Sequence, residues 1–492
     1  MTKRPPARWW IAAAVLALGA SGSGARGPAP TPTPSPSPGP ARSLETLDRR
    51  IPELMRAGDV PGLQIAVVGG PTPWVRAFGV RDAATGIPVT DDTIFEAASL
   101  SKPVFAYAVL CLVDAGTLDL DTPVAKYLPG DYAADPRAAL ITPRNVLSHT
   151  TGFPNWRSSP NVLPMYFAPG ERFSYSGEGF EYLQRAVERV TGQTLDAVMK
   201  RLVFDPLGMK DSRYWWDASL EGRKATGHDE IGVPRPLMRP AVANAAATLQ
   251  TTASDYARFL AGLLSGTGLS PAMRAAMTTP QIHVDEGCSN CVTTKPTGRL
   301  SKEIAWGLGL GLEETDGRRF LWHWGDNGGS GFHCFVLADL ASGLGVVIFT
   351  NSLGGHGIIP DIATAAIGGR HPAFGWIDYE RWDSPARKWF QEILARGMAA
   401  VTPDRASALA ERQVNRVGYW LLEKKRPKEA IAVFERNTAD HPDSWNAWDS
   451  LGEAYADDGQ KERAVAAYEK SVKLNPTSPS GTEALKKLRG KP

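Results

Sequence analysis

Strand-forming sequence falls in two blocks, with a long stretch of helix and loop between them. The first block reads LQIAVVGG and then WVRAFGV, between Leu63 and Val80. The second reads WGLGLGLEE, FLWHWG, FHCFVLAD and GLGVVIFTN, between Ala305 and Asn351, with turn residues at hairpin spacing. Strands at both ends of a helical middle predict an α+β domain. The two blocks must meet in one largely antiparallel sheet flanked by helices, with the middle forming a helical subdomain.

Beyond about residue 400 strand signals stop and a 34-residue period begins. One copy runs from about Glu411 to Ser444 and the next from about Trp445 to Thr477. Gly418 matches Gly452, Ala430 matches Ala464, Phe434 matches Tyr468 and Pro442 matches Pro476. Trp448, Leu451 and Tyr455 add the spacing of the tetratricopeptide signature. Small residues at these points let the two helices of a hairpin approach, and aromatic residues fill the groove between hairpins. Two repeats alone are marginal. Either Thr482–Leu488 forms a capping helix or the preceding domain buries one end.

The chain of 492 residues carries 54 Lys+Arg against 52 Asp+Glu, a balance that gives no nucleic-acid surface. At the N-terminus Lys3, Arg4 and Arg8 precede an apolar run from Trp9 to Ala20, with small residues through Ala25. This is the layout of a secretory signal peptide, and the run is short for a membrane span. If it stays uncleaved it anchors the protein. The proline-rich stretch that follows is an extended tether. Together they predict an exported protein, periplasmic or extracellular, with no stable membrane span beyond the signal segment. Cys288 and Cys291 lack a second metal-spaced pair, so zinc is not expected. They form either a small disulfide in an oxidising compartment or two free thiols. Cys111 reads as core and Cys334 as part of a strand.

The chemistry centres on Ser99-Leu100-Ser101-Lys102-Pro103. Residues three apart share a helix face, and proline is tolerated only in a helix's first turn. The helix therefore begins near Ser99 and runs to about Ala115. That places a hydroxyl at the positive end of the helix dipole with an amine one turn away, as a serine nucleophile and its base require. Tyr175, in Phe173-Ser174-Tyr175-Ser176-Gly177, lies in a turn-rich loop. Beside a lysine ammonium its phenol should lose its proton more readily and relay the serine proton. His323-Trp324-Gly325-Asp326 ends a strand in a glycine-rich turn. There Gly325 would let substrate approach the strand edge, and the Asp326 N–H would join that of Ser99 in an oxyanion hole. His323 either touches substrate and tunes the site or is structural.

These three elements, in this order, resemble the serine β-lactamase and penicillin-binding-protein superfamily, in its class C-like branch. Leu147-Ser148-His149-Thr150-Thr151-Gly152 and Asp121-Thr122-Pro123-Val124-Ala125-Lys126-Tyr127-Leu128-Pro129 are also similar to that branch, and the resemblance covers about residues 45–370. It implies a Ser99 acyl-enzyme with Lys102 and Tyr175 as proton-transfer groups, and no metal or organic cofactor. His149 is expected to shape a loop near the site. Gly177 stands where many β-lactamases have an asparagine that binds the substrate amide. His323 replaces a lysine that binds the substrate carboxylate.

Residues 1–25 are thus read as signal peptide, 26–42 as linker, 43–385 as hydrolase domain, 386–410 as helical connector and 411–492 as repeats with a cap. The expected function is an exported serine hydrolase acting on a small ester, a D-amino-acid peptide or, less well matched, a β-lactam. The alternative is a penicillin-recognising scaffold that acts on a protein partner through its repeats.

Overall fold

The computed structural model describes residues 40–490 except 131, 293 and 477. The expected signal segment and residues 26–39 of the expected linker lie outside the described residues. Helix α1 (Pro40–Ala57) begins inside the segment read as linker and carries Leu47, Ile51 and Leu54 on its buried face.

Eleven strands follow. Nine form one sheet: β1 (Gly62–Val68), β2 (Trp74–Asp82), β3 (Ile87–Pro88), β6 (Ile282–Asp285), β7 (Leu300–Trp306), β8 (Gly311–Thr315), β9 (Arg318–Asn327), β10 (Phe332–Asp339) and β11 (Gly345–Thr350). The other two, β4 (Phe95–Glu96) and β5 (Gln250–Thr251), make a small ladder. The sheet order is β3-β2-β1-β11-β10-β9-β8-β7-β6. The early and late blocks join where β1 pairs antiparallel with β11, Ile65 opposite Ile348, as the sequence requires. β6 and the short strands were not visible as strand signals. Ile282-His283-Val284-Asp285 is too short and too polar to stand out.

β1, β10 and β11 are buried along their whole length, so both sheet faces must be covered. On one face Ala66, Leu321, Val336 and Phe349 pack against α2 (Ser101–Asp114), α3 (Gly177–Thr191) and α4 (Ala253–Ser265). On the other, Ile65, Trp322, Phe335 and Ile348 pack against α1 and α5 (Gly355–Ile367). Burying each large side chain contributes on the order of 1.5–3 kcal/mol, so the sandwich is a stiff platform for the sheet edges.

The repeats are α7 (Glu411–Glu423) with α8 (Pro427–Asp440), and α9 (Trp445–Asp457) with α10 (Lys461–Leu474). A Cβ on Gly418 would lie 2.4 Å from the Phe434 ring, and one on Gly452 would lie 3.0 Å from the Tyr468 ring. The matched glycine–aromatic pairs are thus the contacts that set hairpin spacing. Both expected ways of closing the array occur. Helix α11 (Pro479–Arg489) packs Leu485 and Leu488 at the far end. At the near end α6 (Pro385–Arg396), part of the predicted connector, buries Trp389, Phe390 and Ile393 in the same core, together with Ile231 of the sheet domain. Lys424 donates to the Ile231 carbonyl at 2.7 Å, and Arg416 pairs with Glu380 at 2.9 Å. Between the repeats and the sheet domain lies a cleft of about 360 Å³, lined by Asp326, His333, Tyr379, Arg387, Arg416 and Trp420 among others.

Cys288 and Cys291 form a disulfide. Cys334 lies in β10 as expected, buried, and Cys111 on α2 packs against the core but is only half-buried. Among the described residues no helix is long and apolar enough to cross a membrane. Nor does any group of three His, Cys, Asp or Glu side chains among them form a metal site.

Candidate active site

Ser99 sits in a 3-10 turn, Ala98–Leu100, immediately before α2. The helix proper starts at Ser101 rather than Ser99, with Pro103 in its first turn. Ala98 has φ +48°, a left-handed conformation that costs a non-glycine residue of order 1–3 kcal/mol. The surroundings hold it there. The Ala97 N–H donates to the Leu249 carbonyl at 2.8 Å, Cys334 Sγ donates to the Ala97 carbonyl at 2.9 Å, and Ser101 Oγ donates to the Ala98 carbonyl at 2.5 Å. The strain turns Ser99 out of the core while its neighbours stay buried.

Lys102 is completely buried. Its Nζ donates to Ser99 Oγ at 2.9 Å and to the Ala246 carbonyl at 2.8 Å. Burial pushes its pKa well below the ordinary lysine value, which favours the uncharged amine and its use as a proton acceptor. The Ala246 loop is held in turn by Gln184 of α3, which accepts from Ala245 N at 2.8 Å and donates to the Ala243 carbonyl at 3.0 Å.

Tyr175 joins these two. Its ring lies 4.7 Å from Lys102 Nζ, its hydroxyl is buried and closes no hydrogen bond, and Ser99 is close enough to act on its ionisation. The expectation that Tyr175 would ionise more readily is wrong. Burial raises its pKa strongly, and the opposing effect of Ser99 is smaller. Burial thus holds the proton on Tyr175 and loosens it on Lys102.

His149 shapes the Tyr175 loop, as expected. It has φ +55°, its ring stacks on Tyr175 at 4.2 Å between centroids, and its Nδ1 accepts from the Ser176 N–H at 3.0 Å. Burial lowers its pKa well below the usual histidine range, with Lys102 and His323 acting the same way. The disulfide loop supports Tyr175 from another side, where the Ser289 carbonyl accepts from the Tyr175 N–H at 2.9 Å.

The remaining predicted residues divide. His323 is fully buried; burial, then the Lys102 charge, lowers its pKa to about 3. Its Nδ1 donates to the Trp324 carbonyl at 2.7 Å and its Nε2 has no partner. A neutral, buried imidazole cannot supply the charge of the lysine it replaces, which fits the structural reading. Gly325 is needed for another reason than substrate approach. A Cβ there would lie 2.3 Å from Cys334 Sγ and 2.6 Å from the Ala97 carbonyl, so the glycine lets β9 press against the Ser99 turn. Asp326 follows on the same strand beside that turn, with its carboxylate accepting from the Tyr379 hydroxyl at 2.7 Å.

Gly177 is enclosed by the protein itself. It is buried, and its N–H donates to Asn155 Oδ1 at 3.0 Å. A Cβ at this position would lie 2.7 Å from the Trp156 ring. The loop that carries Trp156 is clamped by Arg157, which pairs with Glu178 at 2.6 Å. Trp156, 45% exposed, thus covers the position where relatives carry a side chain. Sequence reasoning missed Trp156, Gln184 and Ala246 because each acts through a contact remote in sequence.

The fold is shared with proteins of known structure. A class C β-lactamase matches with TM-score 0.55 and 19% identity over 68% of this chain and 97% of its own. The D-alanine carboxypeptidase AmpC from Burkholderia cenocepacia matches with TM-score 0.53 and 21% identity over 66% of this chain and 98% of its own. At the sequence level, penicillin-binding protein 4 of Amycolatopsis lactamdurans is 31% identical over 62% of this chain and 84% of its own length. Esterase EstB of Burkholderia gladioli is 35% identical over 33% of this chain, which spans about half (48%) of that esterase. The beta-lactamase family model matches residues 47–367 and a tetratricopeptide repeat model matches 445–478. The chain belongs to the beta-lactamase family of serine hydrolases and carries a C-terminal tetratricopeptide repeat.

Proposed function

We propose that this protein is an exported serine hydrolase that cleaves an ester or amide through a Ser99 acyl-enzyme. The observation that carries the reading is the buried Lys102 amine 2.9 Å from Ser99 Oγ, with its pKa pushed well down by burial. Lys102 takes the Ser99 proton as Oγ attacks the substrate carbonyl. The backbone N–H groups of Ser99 and Asp326 receive the developing oxyanion. Tyr175, still protonated, donates to the leaving alcohol or amine, and Lys102 returns the serine proton through Tyr175. Water then attacks the acyl group, deprotonated by the same pair, and releases the acid and free Ser99.

Esters and D-amino-acid peptides suit the site better than β-lactams. Trp156 occupies the place of an amide-binding asparagine, and His323 carries no charge for a carboxylate. The likeness to an esterase and to penicillin-binding protein 4 supports the same range. The Cys288–Cys291 disulfide supports an oxidising, extracytoplasmic location. The repeats are the surface for any protein partner.

Purified full-length protein and its Ser99→Ala variant, assayed on p-nitrophenyl esters, D-alanyl peptides and nitrocefin, test the reading. Turnover of an ester or D-peptide that vanishes in Ser99→Ala is expected. Absence of turnover on all three, or turnover that survives the substitution, contradicts it.

A further inference from the structure

Taking the acyl-transfer reading as its basis, we propose that His356 is a positioning residue for the oxyanion hole, holding the Gly325–Asp326 peptide by its carbonyl. His356 Nε2 lies 3.0 Å from the Gly325 carbonyl oxygen. A carbonyl only accepts, so Nε2 carries the proton. The oxygen and the following N–H of a trans peptide point in opposite directions. With Gly325 O turned to His356, the Asp326 N–H must point away from it. That direction is the other edge of β9, whose pairing with β8 ends at Trp322 opposite Gly311. Ala97 and Ala98, directly before Ser99, pack over the face of β9 at Gly325, next to this peptide. One hydrogen bond from behind thus aims the oxyanion donor at the nucleophile.

His356 is itself fixed. Its backbone N–H donates to His333 Nδ1 at 3.2 Å, and its ring stacks on Tyr379 at 4.2 Å and lies tilted against His333 at 4.1 Å. Because His333 Nδ1 accepts, its Nε2 carries a proton and faces Asp326 Oδ1 at 3.5 Å. Tyr379 donates to the other carboxylate oxygen at 2.7 Å. Two consecutive residues of β9 are therefore held from the same side, Gly325 by its backbone and Asp326 by its side chain. Burial would raise the Asp326 pKa, but His333 and Tyr379 outweigh it and keep the carboxyl well below the usual range, so the acceptor is ionised. A bond at the carbonyl also polarises the amide and strengthens its N–H as a donor. The gain is realised only when charge develops on the substrate oxygen, so it belongs in kcat. No reading of the sequence placed His333, His356 and Tyr379 together, because they come from β10, the start of α5 and a loop after it.

The test compares kcat and KM on an ester substrate for wild type, His356→Leu, His356→Gln and Tyr379→Phe, with inhibition by a phenylboronic acid as a tetrahedral mimic. Direct oxyanion donors are worth about 10²–10³ in kcat, so loss of a support should cost on the order of tenfold. His356→Leu is expected to lower kcat about tenfold, weaken boronate inhibition in parallel and leave KM within about twofold. His356→Gln, which keeps an N–H donor, should recover most of the loss. A folded His356→Leu protein with unchanged kcat, a loss confined to KM, or no recovery in His356→Gln overturns the proposal. If His356→Leu does not fold, an unchanged kcat in Tyr379→Phe overturns it and a lowered kcat with unchanged KM supports it. A wild type without Ser99-dependent turnover would instead sink the hydrolase reading, so the two failures are separable.

Discussion

The surroundings of Ser99 and the core of the repeats bury side chains to opposite ends. Around Ser99 the protein buries polar groups and leaves them unspent: Lys102 without a counter-ion, Tyr175 hydroxyl, His149 Nε2 and His323 Nε2 without partners. In the repeats the defining contacts are apolar and close-fitting, glycine against aromatic ring, with Ala430 and Ala464 fully buried beside them. Leaving a buried polar group unpaired costs about 1–3 kcal/mol, whereas a well-packed helix pair stabilises. The first region gives up stability for reactivity and the second only stabilises. Substitutions should therefore separate activity from stability in opposite senses in the two regions.

The largest effect is expected at Lys102. Lys102→Met should lower kcat/KM by about 10³-fold or more, as loss of the base does in related catalytic units. The same substitution should raise the thermal midpoint, because it removes a buried amine that the unfolded chain would protonate. A folded Lys102→Met protein that keeps activity would break the assignment of the base. The pH profile of wild type follows from the same group. The folded pKa of Lys102 is depressed, so kcat/KM should rise with pH through that lowered value and already be near its plateau where a free lysine is still charged. An acidic limb centred at the ordinary lysine pKa would contradict a neutral amine.

A smaller loss is expected at Gly177. Gly177→Asn would restore the asparagine of many relatives but drive it into Trp156 and the Asn155 carbonyl. We expect activity to fall about tenfold and no β-lactamase activity to appear, since the Tyr175 loop must shift. Pairing it with Trp156→Gly should recover part of the loss; if the double variant is no better than the single one, Trp156 does not fill that space.

The smallest effect on turnover, with a clear effect on stability, is expected at Gly418. Gly418→Val overpacks against Phe434 and should cost about 1–3 kcal/mol in the repeats. The thermal midpoint should fall by several degrees while kcat stays within about twofold of wild type. A large drop in kcat with intact folding would show that the repeats act on the site directly.

The sequence already contained the architecture where a period or a motif is local. Strand-forming runs and turn spacing located the two sheet blocks, the 34-residue spacing located the helical hairpins, and Pro103 located the helix start to within two residues. It contained the nucleophile and its base for the same reason, since Ser99 and Lys102 are one turn apart. What it did not contain were effects of burial and of distant contacts. The ionisation of Tyr175 was misjudged because desolvation exceeds any nearby charge. The surroundings of Gly177 were not legible because Trp156, twenty-one residues earlier, fills the space beside it. Gly325 was assigned to substrate, although Ala97 and Cys334 are what press on it. His356 had no motif of its own, and its place behind the oxyanion peptide exists only once β9, β10 and α5 are assembled.

The central claim is that Ser99 carries the acyl group. Mass spectrometry of the full-length protein after a short exposure to a p-nitrophenyl ester or a fluorophosphonate, followed by peptide mapping, reads it directly. The account predicts one acyl or phosphonyl mass addition on the peptide containing Ser99, absent in Ser99→Ala and strongly slowed in Lys102→Met. An adduct on another residue, or equal labelling of Ser99→Ala, would contradict it.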